Sequence, residues 1–277
     1  MVIMNRLTPD KRKAVVACLV EGNSIRATVR MTGVAKNTIA KLLVELGAAC
    51  AKYQDVTMRK LSCKRLQCDE IWSFVGMKDR NVPDDKAGQF GIGSVWTWTC
   101  IDADTKLIPA WLVADRGHEA AYEFMSDAAS RMKNRVQLTT DGHGAYLQAV
   151  EGVFGIDVDY AQLRKIYGID NRPDARYSLP KCLGCKTEVI TGEPDAAHLN
   201  TSYVERSNLT MRMSMRRFMR LTNAFSKKVE NHSAALALYF MYYNFGRVHQ
   251  TLRVTPAMQA GIADHVWGIE EIVALLD

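Results

Sequence analysis

Residues 66–75 have the sequence LQCDEIWSFV, and this stretch decides the fold. Aromatic and β-branched residues dominate it, which predicts a β-strand that carries Asp69 near its middle. Two further strands are predicted at residues 93–102 (GSVWTWTCID) and 107–115, and a tight polar turn at residues 102–105 joins them. Three successive strands with short connections predict an antiparallel meander.

Helices and strands then alternate along the chain. A helical pattern covers residues 117–133, and a short strand at 136–140 leads to Asp141 and a helix at 145–154. Residues 158–163 predict a fifth strand. This order is that of an α/β, ribonuclease H-like domain with a mixed five-stranded sheet. In that architecture the crossover helix makes the first and fourth strands parallel neighbours.

Three acids are predicted to meet in this fold. Asp69 on the first strand and Asp141 at the end of the fourth should converge, and Glu205 opens a late helix that could close the cluster. Clustered carboxylates repel one another, and hard divalent cations relieve the repulsion. Two such ions ~3.5–4 Å apart can stabilise the attacking and leaving oxygens of a phosphodiester displacement. We therefore predict two Mg²⁺ (or Mn²⁺) ions here.

Each acid has a simpler interpretation. Glu70 follows Asp69 directly, so either could be the ligand, and strand alternation puts the two on opposite faces. Asp141 precedes a glycine and could merely start a turn. Glu205 lies at capping-box spacing from Ser202, and an acid in a first turn also suits the helix dipole. The functional interpretation rests on all three acids together.

Basic residues are concentrated in two blocks. Residues 1–65 carry 13 Lys and Arg against 4 acids, and residues 203–228 carry 7 against 1. Residues 66–202, between the blocks, carry 14 against 20. Basic blocks on folded segments favour a polyanionic partner, whereas an acidic centre suits metal-binding carboxylates. Solvated faces without function are the alternative interpretation.

The first basic block has the sequence pattern of a DNA-binding domain. A helix predicted at residues 25–31 is joined by a turn at 32–34 to a second helix at 35–46. Two helices joined in this way are the helix-turn-helix arrangement. A plain three-helix bundle would show the same pattern. The outward-facing residues that could contact bases or phosphates are Lys36, Asn37, Thr38 and Lys41.

The second block lies on the late helix, which begins near residue 201. Arg212 follows Glu205 by seven residues, which is two turns along nearly the same face. A cation there could hold a phosphate beside a metal site. Arg216 and Arg220 extend the basic surface and are predicted to contact DNA as well. An amphipathic core helix with a solvated basic face is the alternative.

Cysteine usage and hydropathy indicate the compartment. The chain has seven cysteines and no evident export signal, so we expect reduced thiols and a cytoplasmic protein. No apolar run reaches the ~18–20 residues that span a bilayer. Cys182 and Cys185 form a C-x-x-C motif, either a partial zinc site or a pair of loop thiols. His143 could contact a phosphate or the attacking water, or be a simple turn residue.

Three segments together resemble one enzyme family. CDEIWSFVGMK (68–78), TTDGHGAYL (139–147) and YVERSNLTMRMSMRRFMRLTNAFSKKVENH (203–232) are similar to the DDE transposases of bacterial insertion sequences, in particular the insertion-sequence-one family. The resemblance covers about residues 66–250. It implies DNA strand cleavage and strand transfer at the ends of a mobile element. Position by position, it assigns the metal-binding acids and the basic residue after them to Asp69, Asp141, Glu205 and Arg212.

The resemblance also implies a domain organisation. We expect a helix-turn-helix domain at 1–55, a basic linker at 56–65, a catalytic domain at 66–250 and a helical tail at 251–277. The stretch at about 164–200 departs from the family as a longer, irregular insertion. Implied partners are double-stranded DNA, namely terminal inverted repeats and target, and a second copy of the chain, with no membrane and no nucleotide cofactor. A catalytically silent DNA-binding regulator is the alternative function.

Overall fold

The computed structural model describes residues 7–168, 182–219 and 223–277. Its strands are β1 (Arg65–Val75), β2 (Gly93–Asp102), β3 (Ala110–Ala114), β4 (Val136–Asp141), β5 (Val158–Tyr167) and β6 (Cys182–Thr191). Its α-helices are α1 (Pro9–Val20), α2 (Ile25–Thr32), α3 (Lys36–Thr57), α4 (His118–Arg131), α5 (Ala145–Phe154), α6 (Ser202–Ser214), α7 (Val229–Met241), α8 (Pro256–Gln259) and α9 (Ile269–Ala274).

The six strands form one mixed sheet in the order β3-β2-β1-β4-β5-β6. The first three strands are antiparallel neighbours, whereas β4 is parallel to both β1 and β5. This confirms the α/β, ribonuclease H-like arrangement and the predicted adjacency of the first and fourth strands. The prediction of five strands is wrong, because β6 adds an antiparallel edge strand to β5.

The sixth strand lies inside the predicted irregular insertion. Within residues 164–200, the end of β5 and all of β6 form a ribbon, so this part of the insertion is regular. Nearly every residue of β6 is exposed on both faces of the strand. A strand that buries neither face has no need to alternate apolar and polar residues, so the sequence pattern gave no signal. Residues 169–181 of the insertion lie outside the described residues.

Helices cover both faces of the sheet. On one face, Trp98 of β2 packs against Phe124 of α4 and Tyr146 of α5. On the other face, Thr99 contacts Asn208 of α6, at 3.4 Å between Oγ1 and Oδ1. Trp111, the β3 partner of Thr99, packs against Phe240 of α7 on that same face. The two faces of β2 thus belong to different helical layers.

The N-terminal segment folds into the three helices α1, α2 and α3, and its helix-turn-helix assignment stays a prediction. Ser24 caps α2 by accepting a hydrogen bond from the backbone of Ala27, and Gly33 ends it in the left-handed region at φ 68°. The helix predicted at residues 35–46 continues without a break to Thr57 as α3. Lys36, Asn37 and Lys41 are exposed and Thr38 is half-buried, whereas Ile39, Leu42 and Leu43 face the core.

The N-terminal helices share one hydrophobic core with the sheet layers. Helix α3 packs along α7, and Gln54 donates to the carbonyl of Ala237 at 3.1 Å. The C-terminal α9 returns to α1, where Glu270 pairs with Lys13. The predicted division of the chain into functional domains stays a prediction.

Close approach of two helices makes Gly47 a sensitive position. A Cβ atom at Gly47 of α3 would stand 2.6 Å from the Cα of Ala234 in α7. Gly47→Ala improves helix propensity by ~1 kcal/mol, but the clash should cost about 1–3 kcal/mol. We expect a net loss in the free energy of unfolding, measured by urea denaturation.

The neighbouring Ala48 supplies the matched control, because it is exposed in the same helix. Ala48→Gly should lose ~1 kcal/mol from propensity alone. If propensity governed both sites, Gly47→Ala would gain stability while Ala48→Gly lost it, and that opposite pair of signs would contradict the close packing of α3 on α7.

Candidate metal and nucleic-acid site

Parallel pairing of β1 and β4 builds the site. The register runs from Arg65 opposite Gln137 to Cys68 opposite Thr140, where the ladder ends. Asp69 and Asp141 are the next residue of each strand, so they lie beside each other where the ladder stops. Oxygens of Asp69, Glu70 and Asp141 all lie within 4.8 Å of one another. Two of the three predicted ligands therefore meet, and Glu70 joins them.

Asp69 is half-buried and held by two hydrogen bonds. Its Oδ1 accepts from the backbone N–H of Glu70 at 2.8 Å, and its Oδ2 accepts from the amide of Asn208 at 2.9 Å. The pKa of Asp69 is raised to about 7, chiefly by burial, with further contributions from the charge of Asp141 and, to a smaller extent, of Glu205. The two hydrogen bonds lower the pKa of Asp69 but do not offset burial. Such a carboxylate favours a bound cation.

Glu70 lies on the other face of β1, as strand alternation predicts. Its pairing partner is Trp98, on the face covered by α4 and α5, and its side chain is fully buried. Oε2 accepts from Nη2 of Arg116 at 3.2 Å. The pKa of Glu70 is raised to about 7, chiefly by burial and then by the charges of Asp141 and Asp69, whereas Arg116 lowers it. Asp69 and Glu70 lie on opposite faces of β1, yet both lie close to Asp141, because the β1–β4 ladder ends just before Asp141.

Glu205 stands apart from the three clustered acids. It lies in the first turn of α6 and lines the same cavity as Asp69 and Asp141. Its carboxylate forms an ion pair with Lys165 of β5 and accepts a hydrogen bond from the hydroxyl of Thr201. The structure thus brings Glu205 to the wall of the cavity but not into the carboxylate cluster. Its part in metal binding stays a prediction.

A side chain of β1 fixes the start of α6. Gln67 is buried, and its Oε1 accepts from the backbone N–H groups of Tyr203 and Val204 at 2.9 and 3.1 Å. These are N–H groups of the first turn, which have no partner inside the helix. The capping box predicted from Ser202 and Glu205 does not form, because Ser202 is already the first residue of α6 and not the residue before it. The hydroxyl of Thr201 contacts the Glu205 carboxylate instead.

The cavity is large and carries mixed charge. Its volume is about 630 Å³, enough for a nucleotide-sized group. The acids Asp69, Asp141 and Glu205 line it together with cations that the sequence analysis did not single out. These cations are Arg116, Arg164 and Lys165. Oxygen donors suit Mg²⁺ or Mn²⁺, and the neighbouring cations suit a phosphate, so the residues fit a metal-dependent phosphoryl site.

His143 is held by local contacts at the rim of the cavity. Its backbone N–H donates to Oδ1 of Asp141 at 3.0 Å, which is the turn that an Asp-Gly sequence predicts. Its Nε2 lies 3.3 Å from the carbonyl of Arg116. Burial, with help from the charge of Arg116, lowers the pKa of His143, so the ring is neutral at neutral pH. The contact with Asp141 fits the interpretation of His143 as a turn residue, and its contact with a phosphate or the attacking water stays a prediction.

The predicted DNA contacts Arg212 and Arg216 lie on an exposed surface. Helix α6 ends at Ser214, so it is shorter than predicted. Arg212 is exposed on its last turn, and Arg216 is exposed on the short 3₁₀ turn that follows. Arg220 lies outside the described residues. A structural reason for the early end is that Met215 and Phe218 bury their side chains in the core, which bends the chain inward.

The C-x-x-C motif lies on β6, with both thiols free and exposed. In the part of the chain that the structure describes, the cluster of three potential ligands is the carboxylate group above, and neither thiol belongs to one. Cys185 faces Lys165 across the ribbon. Within the same residues, no helix has the length and apolar character that crossing a membrane requires.

Comparison with known proteins gives weak similarities in structure. No family model and no curated protein matches the sequence. The chain is similar to a cryo-EM structure of a piggyBac transposase synaptic complex with hairpin DNA (TM-score 0.39, 10% identity, covering 98% of this chain and 71% of that chain). It is also similar to the crystal structure of the Mos1 strand transfer complex (TM-score 0.24, 11% identity, 86% and 79% covered). These values are low, so the fold assignment rests on strand order and direction.

Proton binding at Asp69 should make the metal-free protein less stable as pH rises. The folded state keeps a proton on Asp69 up to about pH 7, whereas the unfolded chain releases it near 3.8. Between these values the folded state binds more protons, so the free energy of unfolding falls with pH. Urea denaturation in EDTA at pH 5 and pH 7.5 should show a smaller fall for Asp69→Asn than for the wild type. Equal falls would contradict the raised pKa.

Lys165 should compete with a cation for Glu205. Removing the lysine with Lys165→Met frees the carboxylate, and partly exposed ion pairs are worth ~0.2–1 kcal/mol. If Glu205 is a ligand, Mn²⁺ should bind up to about fivefold more tightly, as measured by calorimetric titration. Lys133→Met, at an exposed lysine outside the cavity, is the matched control. Unchanged Mn²⁺ affinity in Lys165→Met would remove Glu205 from the metal site.

Proposed function

We propose that the protein is a DDE transposase that binds the terminal inverted repeats of an insertion sequence and catalyses metal-dependent DNA strand cleavage and strand transfer. The observation that carries the proposal is the meeting of Asp69 and Asp141 at the ends of two parallel strands. They face a cavity that Glu205 and several cations also line. The sequence resemblance to the insertion-sequence-one family supports the same conclusion.

The proposed chemistry divides the acids between two Mg²⁺ or Mn²⁺ ions. Asp69 and Asp141 would hold one ion, and Asp69 and Glu205 would hold the other. Such a pair of ions stabilises the attacking and departing oxygens of an in-line displacement. Asn208 and the backbone of Glu70 keep both oxygens of Asp69 oriented for this task. Water is the first nucleophile, and the freed 3′ hydroxyl then attacks target DNA, so no covalent enzyme–DNA intermediate is needed.

DNA binding is assigned to the two basic surfaces. The exposed side chains of Lys36, Asn37 and Lys41 at the start of α3 suit contacts in the major groove. Arg212 and Arg216 extend a basic surface from α6. Joining two element ends requires at least a dimer. We expect affinity to fall steeply with salt, since such binding depends on phosphate contacts.

One observation favours a second candidate, a catalytically silent DNA-binding regulator. Glu205 is engaged by Lys165 and Thr201 and stands outside the carboxylate cluster. A protein that never binds a second ion could keep that arrangement permanently and act only through its helix-turn-helix. A transposase would break the ion pair when metal and DNA bind.

Conservative replacement of each acid tests the catalytic proposal. Asp69→Asn, Asp141→Asn and Glu205→Gln remove charge with little change in shape. Metal ions contribute several kcal/mol to such reactions, so strand cleavage and transfer should fall about 10²-fold or more. The assay uses labelled DNA from the sequences that flank the gene, Mg²⁺ or Mn²⁺, and a supercoiled target.

DNA binding and a surface variant provide the controls. All three variants should bind the labelled DNA as the wild type does in gel shifts. Glu123→Gln, at an exposed acid of α4, should stay fully active. Undiminished activity in any of the three variants would remove that residue from the site. A wild type that binds but never cuts, under any metal, would favour the regulator, and cleavage without transfer would indicate a nuclease.

A further inference from the structure

Arg116 projects into the cavity beside the carboxylate cluster. It lies between β3 and α4, and its side chain is 40% exposed. Its Nη2 is 3.2 Å from Oε2 of Glu70 and 3.9 Å from Oδ2 of Asp141. A single cationic nitrogen is therefore placed between a buried acid and a proposed metal ligand.

Three separate contacts hold Arg116 in this position. Its guanidinium lies over the ring of Trp96, 4.5 Å from the centroid, which suits the flat face of an arginine. Its backbone carbonyl lies 3.3 Å from Nε2 of His143, which donates to it. Its ion pair with Glu70 fixes one edge of the guanidinium. The side chain is thus oriented before any ligand arrives.

Glu70 and the two aspartates have different surroundings. The Glu70 side chain is fully buried on the α4–α5 face of β1, and Arg116 is its ion-pair partner. Asp69 and Asp141 are half-exposed and line the cavity. An ion entering from the cavity meets the aspartates first. A buried carboxylate that loses its ion-pair partner is strongly destabilising, so Glu70 is suited to keep Arg116 and not to exchange it for a metal ion.

The guanidinium keeps donors for a second anion. It carries five N–H groups, and the contacts with Glu70 and Asp141 in the described part of the chain use Nη2 alone. A fork of N–H groups matches the oxygens of a phosphate. Without metal and DNA, Arg116 offsets the charge of Asp141. Once a cation occupies Asp141, a phosphate in the cavity becomes the anion nearest to those donors.

We propose that Arg116 binds a non-bridging oxygen of the scissile phosphate and that Glu70 is a positioning residue for Arg116, not a metal ligand. This rests on the proposed function and adds a residue to it that the sequence did not indicate. It also gives Arg116 opposite effects in two states. Arg116 competes with the metal ion for Asp141 in the free protein and assists the reaction when DNA is bound.

Variants of the pair test this division of roles. Arg116→Gln should lower single-turnover cleavage by ~10²–10³-fold, as loss of one donor to a developing charge does elsewhere. In the absence of DNA the same variant should bind Mn²⁺ as tightly as the wild type or several-fold more tightly. Arg116→Lys should recover part of the rate, because it keeps the charge and loses the fork. Thermal unfolding checks that each variant folds.

Glu70→Gln separates a positioning residue from a ligand. It should keep Mn²⁺ binding and lose cleavage, and the double variant with Arg116→Gln should be no slower than Arg116→Gln alone. Asp69→Asn is the comparison that must lose Mn²⁺ binding. Loss of Mn²⁺ binding in Glu70→Gln would show that Glu70 is a ligand and would overturn its assignment as a positioning residue.

A neutral phosphate analogue tests contact with the phosphate itself. DNA with a methylphosphonate at the scissile position lacks the charge that Arg116 is proposed to bind. The wild type should bind it about tenfold more weakly than normal DNA, and Arg116→Gln should discriminate little. Equal discrimination by both proteins, or full cleavage by Arg116→Gln, would overturn the role of Arg116 alone. A wild type that neither binds Mn²⁺ nor cleaves would instead reject the proposed function, and this role with it.

Discussion

The parallel pairing of β1 with β4 is the constraint on which the site depends. The ladder between these two central strands ends at Cys68 and Thr140. The next residues, Asp69 and Asp141, therefore lie side by side without strand hydrogen bonds between them. Collecting carboxylates is unfavourable unless a cation joins them. Arg116 lies beside Asp141 and offsets part of the negative charge of the cluster. The pKa of Asp69, raised to about 7, lets this carboxyl group hold a proton, which reduces the repulsion further.

A second layer of contacts ties α6 to the same strand. Gln67 accepts from the first backbone N–H groups of α6, and Asn208 of that helix donates to Asp69. Gln67 and Asp69 lie on the face of β1 that α6 covers, and Glu70 lies on the other face. β1 therefore positions three parts of the site. Gln67 fixes the start of α6, which carries Glu205, while Asp69 and Glu70 belong to the strand itself.

The metal-free cavity is close to electrostatic balance. Arg116 lies near Asp141 and Glu70, and Lys165 forms an ion pair with Glu205. The two cations therefore neutralise part of the charge of these three acids. When metal and phosphate bind together, Asp141 and Glu205 would contact the metal, and Arg116 and Lys165 would contact the phosphate, while Arg116 keeps its ion pair with Glu70. A site built in this way need not hold uncompensated charge in either state, which favours joint binding of the two ligands.

Local patterns in the sequence determined much of this protein. Aromatic and β-branched runs predicted the first five strands, and the short helical segments around the turn at residues 32–34 predicted the N-terminal helices. The positions of Asp69 and Asp141 on the first and fourth strands predicted their meeting. β6 was missed because a strand exposed on both faces has no alternating pattern. Arg116, Lys165, Gln67 and Asn208 were missed because their roles depend on partners far away in the chain. Only tertiary structure decides such pairs, since spacing along a chain carries no information about which distant side chains share a cavity.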